Sequence, residues 1–518
     1  MAERAPNKWL ITLAVMVPTL IEILDTSIAN VALQHIQGSL SAGQDEVTWV
    51  LTSYLVSNAI VIPISGFLSK VLGRRNYLLL SVVVFTVASM MCGLATSLGM
   101  LITFRIVQGI GGGGLQPMSQ AILLEAYPPR ERGLAMAIFA MGAVLGPILG
   151  PLLGGYITDN YSWRWIFNIN VPVGILAVGL IWLYIKDPDY LERRKSGDRV
   201  DYIGLALLSL GLGCLQVVLD KGQQDDWFND DFILTLACIA AVCLTSFVAW
   251  ELMRKDPIVD LKVFKDRSFA TGNVVMFFGF FAFFGAIVLL PLYLQNLMGY
   301  TAFLSGVVLG PGGLIMLLIL PIVGKLTQRF DARLILFVGL LVSAYSLFNM
   351  AGFTLDIDLG TAITARNIQA VGIAFFFVPL SYVTMAYIPK EGMNNASAVF
   401  NLLRNLGGSF GVAFVTTLLA RRAQFHQARL IENLTPYDLT YQSAYNQIKD
   451  YLSAKALGLY DASQMAGATL YKLMLQQANA MAFCDVFHAQ ALLFMGLAVL
   501  MWIMKKPPMG AKLTEGGH

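Results

Sequence analysis

Apolar residues recur along this chain in runs of about 20, separated by short stretches that hold most of the charges and turn formers. A helix of that length spans roughly 30 Å, the thickness of a bilayer's hydrocarbon layer. Read this way, the pattern predicts helices at 9–33, 47–68, 77–97, 99–124, 134–157, 163–185, 202–220, 232–251, 269–295, 302–325, 333–353, 361–388, 394–420 and 484–504. The expectation is an all-α polytopic membrane protein with fourteen transmembrane helices.

The intervening segments alternate in charge. One set contains 24 lysines and arginines, among them Arg4, Lys8, Lys70, Arg130, the cluster Arg193, Arg194, Lys195 and Arg199, Lys255, Lys325, Arg329 and Lys512. The short segments of the other set contribute only Lys221 and are acidic instead, with Asp45, Glu46, Asp225, Asp226 and Asp356. Positive charge is retained on the cytoplasmic side, so both termini are expected to be cytoplasmic, in an inner membrane. The stretch 421–483 falls on the opposite side with six basic residues, as long segments do regardless of charge. At about 60 residues it is long for a passive connection, so it is expected to meet an external partner or to cap a cavity. The basic start followed by an apolar run without a small-residue cleavage pattern reads as an uncleaved signal-anchor.

Composition narrows the classes further. Of 518 residues, 57% are apolar and 13% charged, with a mean hydropathy of +0.66, which excludes a water-soluble globule. A net charge of +3 from 35 basic and 32 acidic residues is too balanced for nucleic-acid binding. The five cysteines lack the spacing of a zinc site or a disulfide framework, and the four histidines are too scattered for a metalloprotease helix. Gly324-Lys325 is followed by Leu326, so it is no phosphate loop. Neither an enzyme nor a metal site is expected.

Landmarks repeat with one register. Gly66 with Arg74 and Arg75 is echoed by Gly324 with Arg333, an offset of 258 for the glycines, and Arg105-Ile-Val-Gln108-Gly-Ile-Gly111 by Arg366-Asn-Ile-Gln369-Ala-Val-Gly372, an offset of 261. A duplicated six-helix unit with two inserted helices explains both the count and the offsets. The expected organisation is an N-terminal bundle at 1–186, a linker and inserted pair at 187–266, a C-terminal bundle at 267–505 that includes 421–483, and a tail at 506–518. Such a molecule is a two-bundle transporter with its cavity between the halves.

Charges at membrane depth carry a functional expectation. Glu22 and Asp25 lie three residues apart on the first helix and project from one face. Asp25 lies roughly 24 Å from the cytoplasmic entry and Arg105 about 10 Å below the outer surface, so the two reach similar depths. Asp25 is expected to pair with Arg105 while Glu22 faces the cavity, with one or both exchanging a proton. A static packing pair is the alternative. The fifth helix places Gly142, Gly146, Gly150 and Gly154 along one side with Pro147 and Pro151 between them, a face for close helix contact. Tyr54, Asn58, Gln108 and Asn401 are polar residues for which a cavity supplies partners, and Phe280 and Phe284, one turn apart, are the expected aromatic lining. Arg366 and Arg404 have no matching acid in the second half, where Phe283 stands at the position of Asp25; Arg404 is expected to line the cavity, with a structural role for both arginines as the alternative.

Together these residues resemble the major facilitator superfamily, and within it the fourteen-helix drug:proton antiporters of the EmrB/QacA type. The resemblance rests on Leu24-Asp25-Thr26-Ser27-Ile28-Ala29-Asn30-Val31-Ala32, on Gly66 to Arg75 with Gly73, Arg74 and Arg75, on Arg105 to Gly111, on Gly146-Pro147, and on Trp163-Arg164-Trp165-Ile166-Phe167-Asn168-Ile169-Asn170-Val171-Pro172. It implies that Asp25 and Arg105 are the proton-coupling acid and its basic partner, that Gly66 to Arg75 form a cytoplasmic gate loop, and that the Gly-Pro helix marks an exporter. The loop departs from the family pattern at Lys70, where an aspartate is usual. Glu22 is extra to the motif and favours neutral or cationic amphipathic substrates. The implied function is export of amphipathic toxic compounds with the proton as coupling ion and no cofactor, alongside a periplasmic membrane-fusion adaptor and an outer-membrane channel. A dedicated exporter of one metabolite or siderophore, and a non-transporting sensor or assembly scaffold, are the alternatives.

Overall fold

The computed structural model describes residues 7–187, 201–254, 257–432, 434–454 and 459–507, without the side chains of Gln44, Pro147, Ile148, Pro151, Ala302, Phe303 and Leu459. Arg4, Arg193, Arg194, Lys195, Arg199, Lys255, Lys512, the start of the inter-bundle linker and most of the C-terminal tail lie outside the described residues.

The described chain is helical throughout. The N-terminal part comprises α1 (Lys8–Leu40), α2 (Gln44–Val47), α3 (Trp49–Leu72), α4 (Arg74–Gly93), α5 (Leu98–Gly112), α6 (Leu115–Ala126), α7 (Arg132–Asn160), α8 (Trp165–Asn168) and α9 (Asn170–Tyr184). The pair α10 (Tyr202–Lys221) and α11 (Asp231–Met253) follows. The C-terminal part comprises α12 (Arg267–Asn296), α13 (Ala302–Arg329), α14 (Ala332–Met350), α15 (Leu359–Met385), α16 (Met393–Ile431), α17 (Leu439–Ala454) and α18 (Leu459–Leu500). Among the described residues, 13 helical stretches are long and apolar enough to cross a membrane, with α5 and α6 counted as one; α7 supplies the fourteenth span.

Short polar side chains set the helix starts. Asn7, Ser97, Asp201, Asp230, Asp266, Thr301, Asp331 and Asp358 each accept a backbone N–H in the first turn of the helix that follows, satisfying donors the helix leaves unpaired. The turn from α3 to α4 is the single residue Gly73, at φ 84°, a conformation that a side chain disfavours.

Two bundles result. In the first, α1 packs on α7, and α5 lies between α3 and α4; in the second, α12 packs on α16 and α14 on α15 and α18. The halves meet through α7 with α13, α3 with α16, and α6 with α16. The inserted α10 and α11 pack on each other, and α10 also rests on both α3 and α16. It is tied to the first half by Asp220 with Thr52 and by Lys221 with Thr48, and to the second by Gln216 with Ser409.

Several boundaries differ from the sequence pattern. The first helix continues past residue 33 to Leu40, and the fourth span breaks at Gly113 and Gly114. Gly66, read as part of a loop, lies inside α3. The 421–483 stretch extends α16 to Ile431 and starts α18 at Leu459, with α17 packed along α18 and none of its residues buried. It thus forms a helical extension of those two spans.

Candidate functional site

Two buried polar clusters occupy one face of α1. Asp25 is 2% exposed and Arg105, on α5, is fully buried. Arg105 Nη1 donates to Asp25 Oδ2 at 2.6 Å and to Gln108 Oε1 at 2.9 Å, while its Nε donates to the Val50 carbonyl at 3.0 Å. The guanidinium lies over the Tyr54 ring, 4.2 Å from its centre. The other carboxylate oxygen of Asp25 accepts from Gln108 Nε2 at 2.9 Å and Asn170 Nδ2 at 2.7 Å. Every oxygen of this desolvated carboxylate is therefore hydrogen-bonded, which offsets much of the cost of its burial, while Arg105 Nη2 has no hydrogen-bond partner among the described residues. Gln108, expected to line a cavity, belongs instead to this closed cluster, because α5 brings it one turn from Arg105 against Asp25.

Glu22 lies one turn nearer the α1 N-terminus and is 3% exposed. Its Oε1 accepts from the Tyr54 hydroxyl at 3.3 Å and Asn58 Nδ2 at 3.2 Å, and its Oε2 from Gln116 Nε2 at 2.5 Å. Among the described residues no cation lies within ion-pair distance of it, unlike Asp25. Gln116, on α6, turns its carbonyl oxygen to Arg404 of α16, so one amide joins an acid of the first bundle to a cation of the second. Arg404 also lies over the Phe280 ring at 5.9 Å.

Phe280 is buried in an aromatic group, its ring centre 5.7 Å from Phe284 and 5.8 Å from Phe377, and Phe377 stacks across the seam on Phe139 of α7 at 6.4 Å. Phe284 is 38% exposed. Asn401, also expected in a cavity, is fully buried and donates to Gln120 Oε1 across the seam at 2.5 Å.

The seam is sealed at the end bearing the basic loops. Arg74 forms a two-point ion pair with Glu125, at 2.7 and 3.0 Å, and donates to Asn394 of α16 at 2.9 Å. Asn394 donates to Ser69 at 3.0 Å. Gly66 lets α16 approach α3: a Cβ there would lie 3.1 Å from the Asn395 Cα. Arg75 turns the other way, donating to the Trp182 carbonyl at 2.8 Å.

The glycine face of α7 rests on α1, within one bundle. Gly142 faces Met16, Gly146 the Ile23 carbonyl, where a Cβ would lie 3.2 Å away, Gly150 faces Ser27, and Gly154 the Ile28 carbonyl at 3.3 Å. Backbone contact with the helix carrying both acids follows from four glycines in one register. The helix continues through Pro147 and Pro151, whose side chains lie outside the described residues.

Gln116, Gln120, Asn170, Glu125 and Asn394 were missed by reasoning on the sequence. Gln116 and Gln120 lie four apart in an apolar run, and such a pair of intramembrane amides signals a polar face.

Comparison with known proteins gives a consistent picture. The model of the Major Facilitator Superfamily matches residues 15–412. The fatty acid resistance protein FarB of Neisseria gonorrhoeae is 38% identical over 497 residues, 96% of each chain. The multidrug export protein EmrB of Escherichia coli K12 is 38% identical over 509 residues, covering 98% of this chain and 97% of that one. Among solved structures, the proton:xylose symporter XylE superposes with a TM-score of 0.61 at 14% identity, covering 96% of this chain and 95% of that one. The human organic anion transporter MFSD10 does so with a TM-score of 0.60 at 16% identity, covering 96% and 100%.

Proposed function

This chain belongs to the Major Facilitator Superfamily, and from that premise we propose that it exports hydrophobic or amphipathic toxic compounds across the inner membrane in exchange for protons. Relatives named for multidrug export and for fatty acid resistance, alike over nearly their whole length, support the export direction and the substrate class.

The observation that carries the reading is Glu22. A carboxylate buried in the membrane and, among the described residues, hydrogen-bonded by neutral donors is a site that a proton and a cationic or polar substrate group can occupy in turn. Asp25, bound by Arg105, Gln108 and Asn170, is the second coupling acid. Through Gln116 the state of Glu22 reaches Arg404, and so the contact between the bundles. A proton on Glu22 weakens its pull on the Gln116 amide and loosens that tie; the ionised form tightens it. The Arg74, Asn394 and Ser69 contacts form the gate that opens when the bundles rock. We place both termini on the cytoplasmic side, an orientation that the distribution of lysine and arginine supports.

The 25 residues of α18 before residue 484 extend roughly 37 Å beyond its apolar span. With α17 and the turn before it they present Tyr437, Leu439 and Tyr460, each at least 75% exposed, a surface suited to a periplasmic adaptor that leads to an outer-membrane channel.

The test is substrate-triggered proton release from proteoliposomes across a panel of cationic, neutral and anionic dyes. The parent is expected to release protons, and Glu22→Gln and Asp25→Asn to lose coupling by at least tenfold. If both variants retain proton-driven transport, the coupling role is wrong; a parent that moves none of the panel overturns the multidrug reading.

A further inference from the structure

At the basic end, a cleft of about 600 Å³ opens where α1, α7 and the C-terminus of α13 converge. Its polar wall is Lys8 and Glu131 from the first bundle and Lys325 and Arg329 from the second. Glu131, the acid of this wall, is already paired with Lys8 at 2.5 Å. Lys325 and Arg329 are exposed and have no ion-pair partner among the described residues, which leaves two uncompensated positive charges at one mouth. The other wall is apolar: Ile322, 54% exposed, lies on the helix that carries both cations, and Phe330, 59% exposed, caps the end of that helix.

Cations and exposed apolar side chains in one cleft, at the edge of a membrane span, match one kind of ligand. A soluble anion has no use for Ile322 and Phe330, and an acyl chain alone has none for Lys325 and Arg329. We propose that this cleft binds an anionic phospholipid, its phosphate held by Lys325 and Arg329 and its chain start lying on Ile322.

The position gives the site a consequence. Immediately beside it α7 crosses α13 in backbone contact, since a Cβ on Gly133 would lie 2.9 Å from the Gly324 carbonyl and one on Gly324 the same distance from the Gly133 carbonyl. This crossing is part of the seam that closes the basic end. A head group in the cleft touches both halves and ties them together there.

Native mass spectrometry of the full chain, released from micelles after incubation with phosphatidylglycerol or phosphatidylcholine of matched chains, tests the proposal. Phosphatidylglycerol is expected to bind with clear preference. The double variant Lys325→Gln/Arg329→Gln should bind it about 30-fold more weakly, from roughly fivefold per cation near an anionic lipid. Lys70→Gln, which removes an exposed cation at the same end but outside the cleft, should change binding less than twofold. Equal retention of the two lipids, equal losses in the double variant and Lys70→Gln, or displacement of the lipid by an equal concentration of inorganic phosphate would each overturn it. Because the readout is binding to the folded chain, it stands or falls independently of whether Glu22 couples transport to protons.

Discussion

Removing one member of the Asp25–Arg105 pair should damage the fold far more than removing both. Asp25→Asn retains the shape, and the amide oxygen still accepts from Gln108 and Asn170. It leaves a guanidinium with no accessible surface and no counter-charge. Breaking a buried pair this way costs about 3–5 kcal/mol, of which the Val50 carbonyl, the Gln108 oxygen and the Tyr54 ring return roughly 1 kcal/mol. The expected net loss is about 2–4 kcal/mol. Arg105→Met should cost less, about 1–3 kcal/mol, because Asp25 retains two amide donors and a carboxyl group can be neutralised by a proton whereas a guanidinium cannot. The double variant removes both charges and should lie within about 1 kcal/mol of the parent, giving a coupling of at least roughly 2 kcal/mol. Sodium dodecyl sulfate titration of the protein in mild micelles, followed by tryptophan fluorescence and circular dichroism, measures all four corners. Single variants within about 0.5 kcal/mol of the parent, or a double variant destabilised by the sum of the two singles, would refute the reasoning.

Three further outcomes follow from other contacts. Gly109→Ala places a Cβ 2.6 Å from the Tyr54 carbonyl and against Ser57, forcing α5 from α3 at a cost of about 1–3 kcal/mol, whereas Gly155→Ala, with open space around it, should be neutral or stabilising by up to about 1 kcal/mol in the same titration. Asn394→Ala and Gln120→Asn each remove cross-seam hydrogen bonds worth about 1 kcal/mol, shifting the balance toward opening at the basic end about fivefold; spin labels at the exposed positions Lys70 and Lys390 should report a longer distance. At the start of α12, burial opposes ionisation of Asp266, but the Lys505 ammonium and the Phe269 N–H prevail and hold its carboxyl below the usual range. A depressed folded-state value means stability that is full above the unfolded value near 4 and is lost as pH falls below it, so Asp266→Asn should flatten the acid limb of stability by under about 1 kcal/mol while retaining the helix cap.

The order of helices was legible because each crossing needs about 20 apolar residues whatever packs beside it. Where a helix runs on into water that signal stops, and the ends of α1 and α16 and the start of α18 were misplaced for that reason: backbone hydrogen bonds continue where hydropathy does not. The similar depths of Asp25 and Arg105 could be calculated from a fixed rise per residue. Which neutral amides surround them could not.

By itself the sequence determined the spans, the alternation of charged ends and the presence of two acids on the first helix. Each of these depends on residues near one another along the chain or on a single helix's periodicity. Only the tertiary structure decided that Gln116 joins Glu22 to Arg404, that Asn170 completes Asp25, that the α7 glycines meet α1 within one bundle, and that Lys325 and Arg329 share a cleft with Lys8 and have no ion-pair partner among the described residues. Those groupings depend on how helices are rotated and crossed, which side-chain packing sets and no periodicity along one helix records.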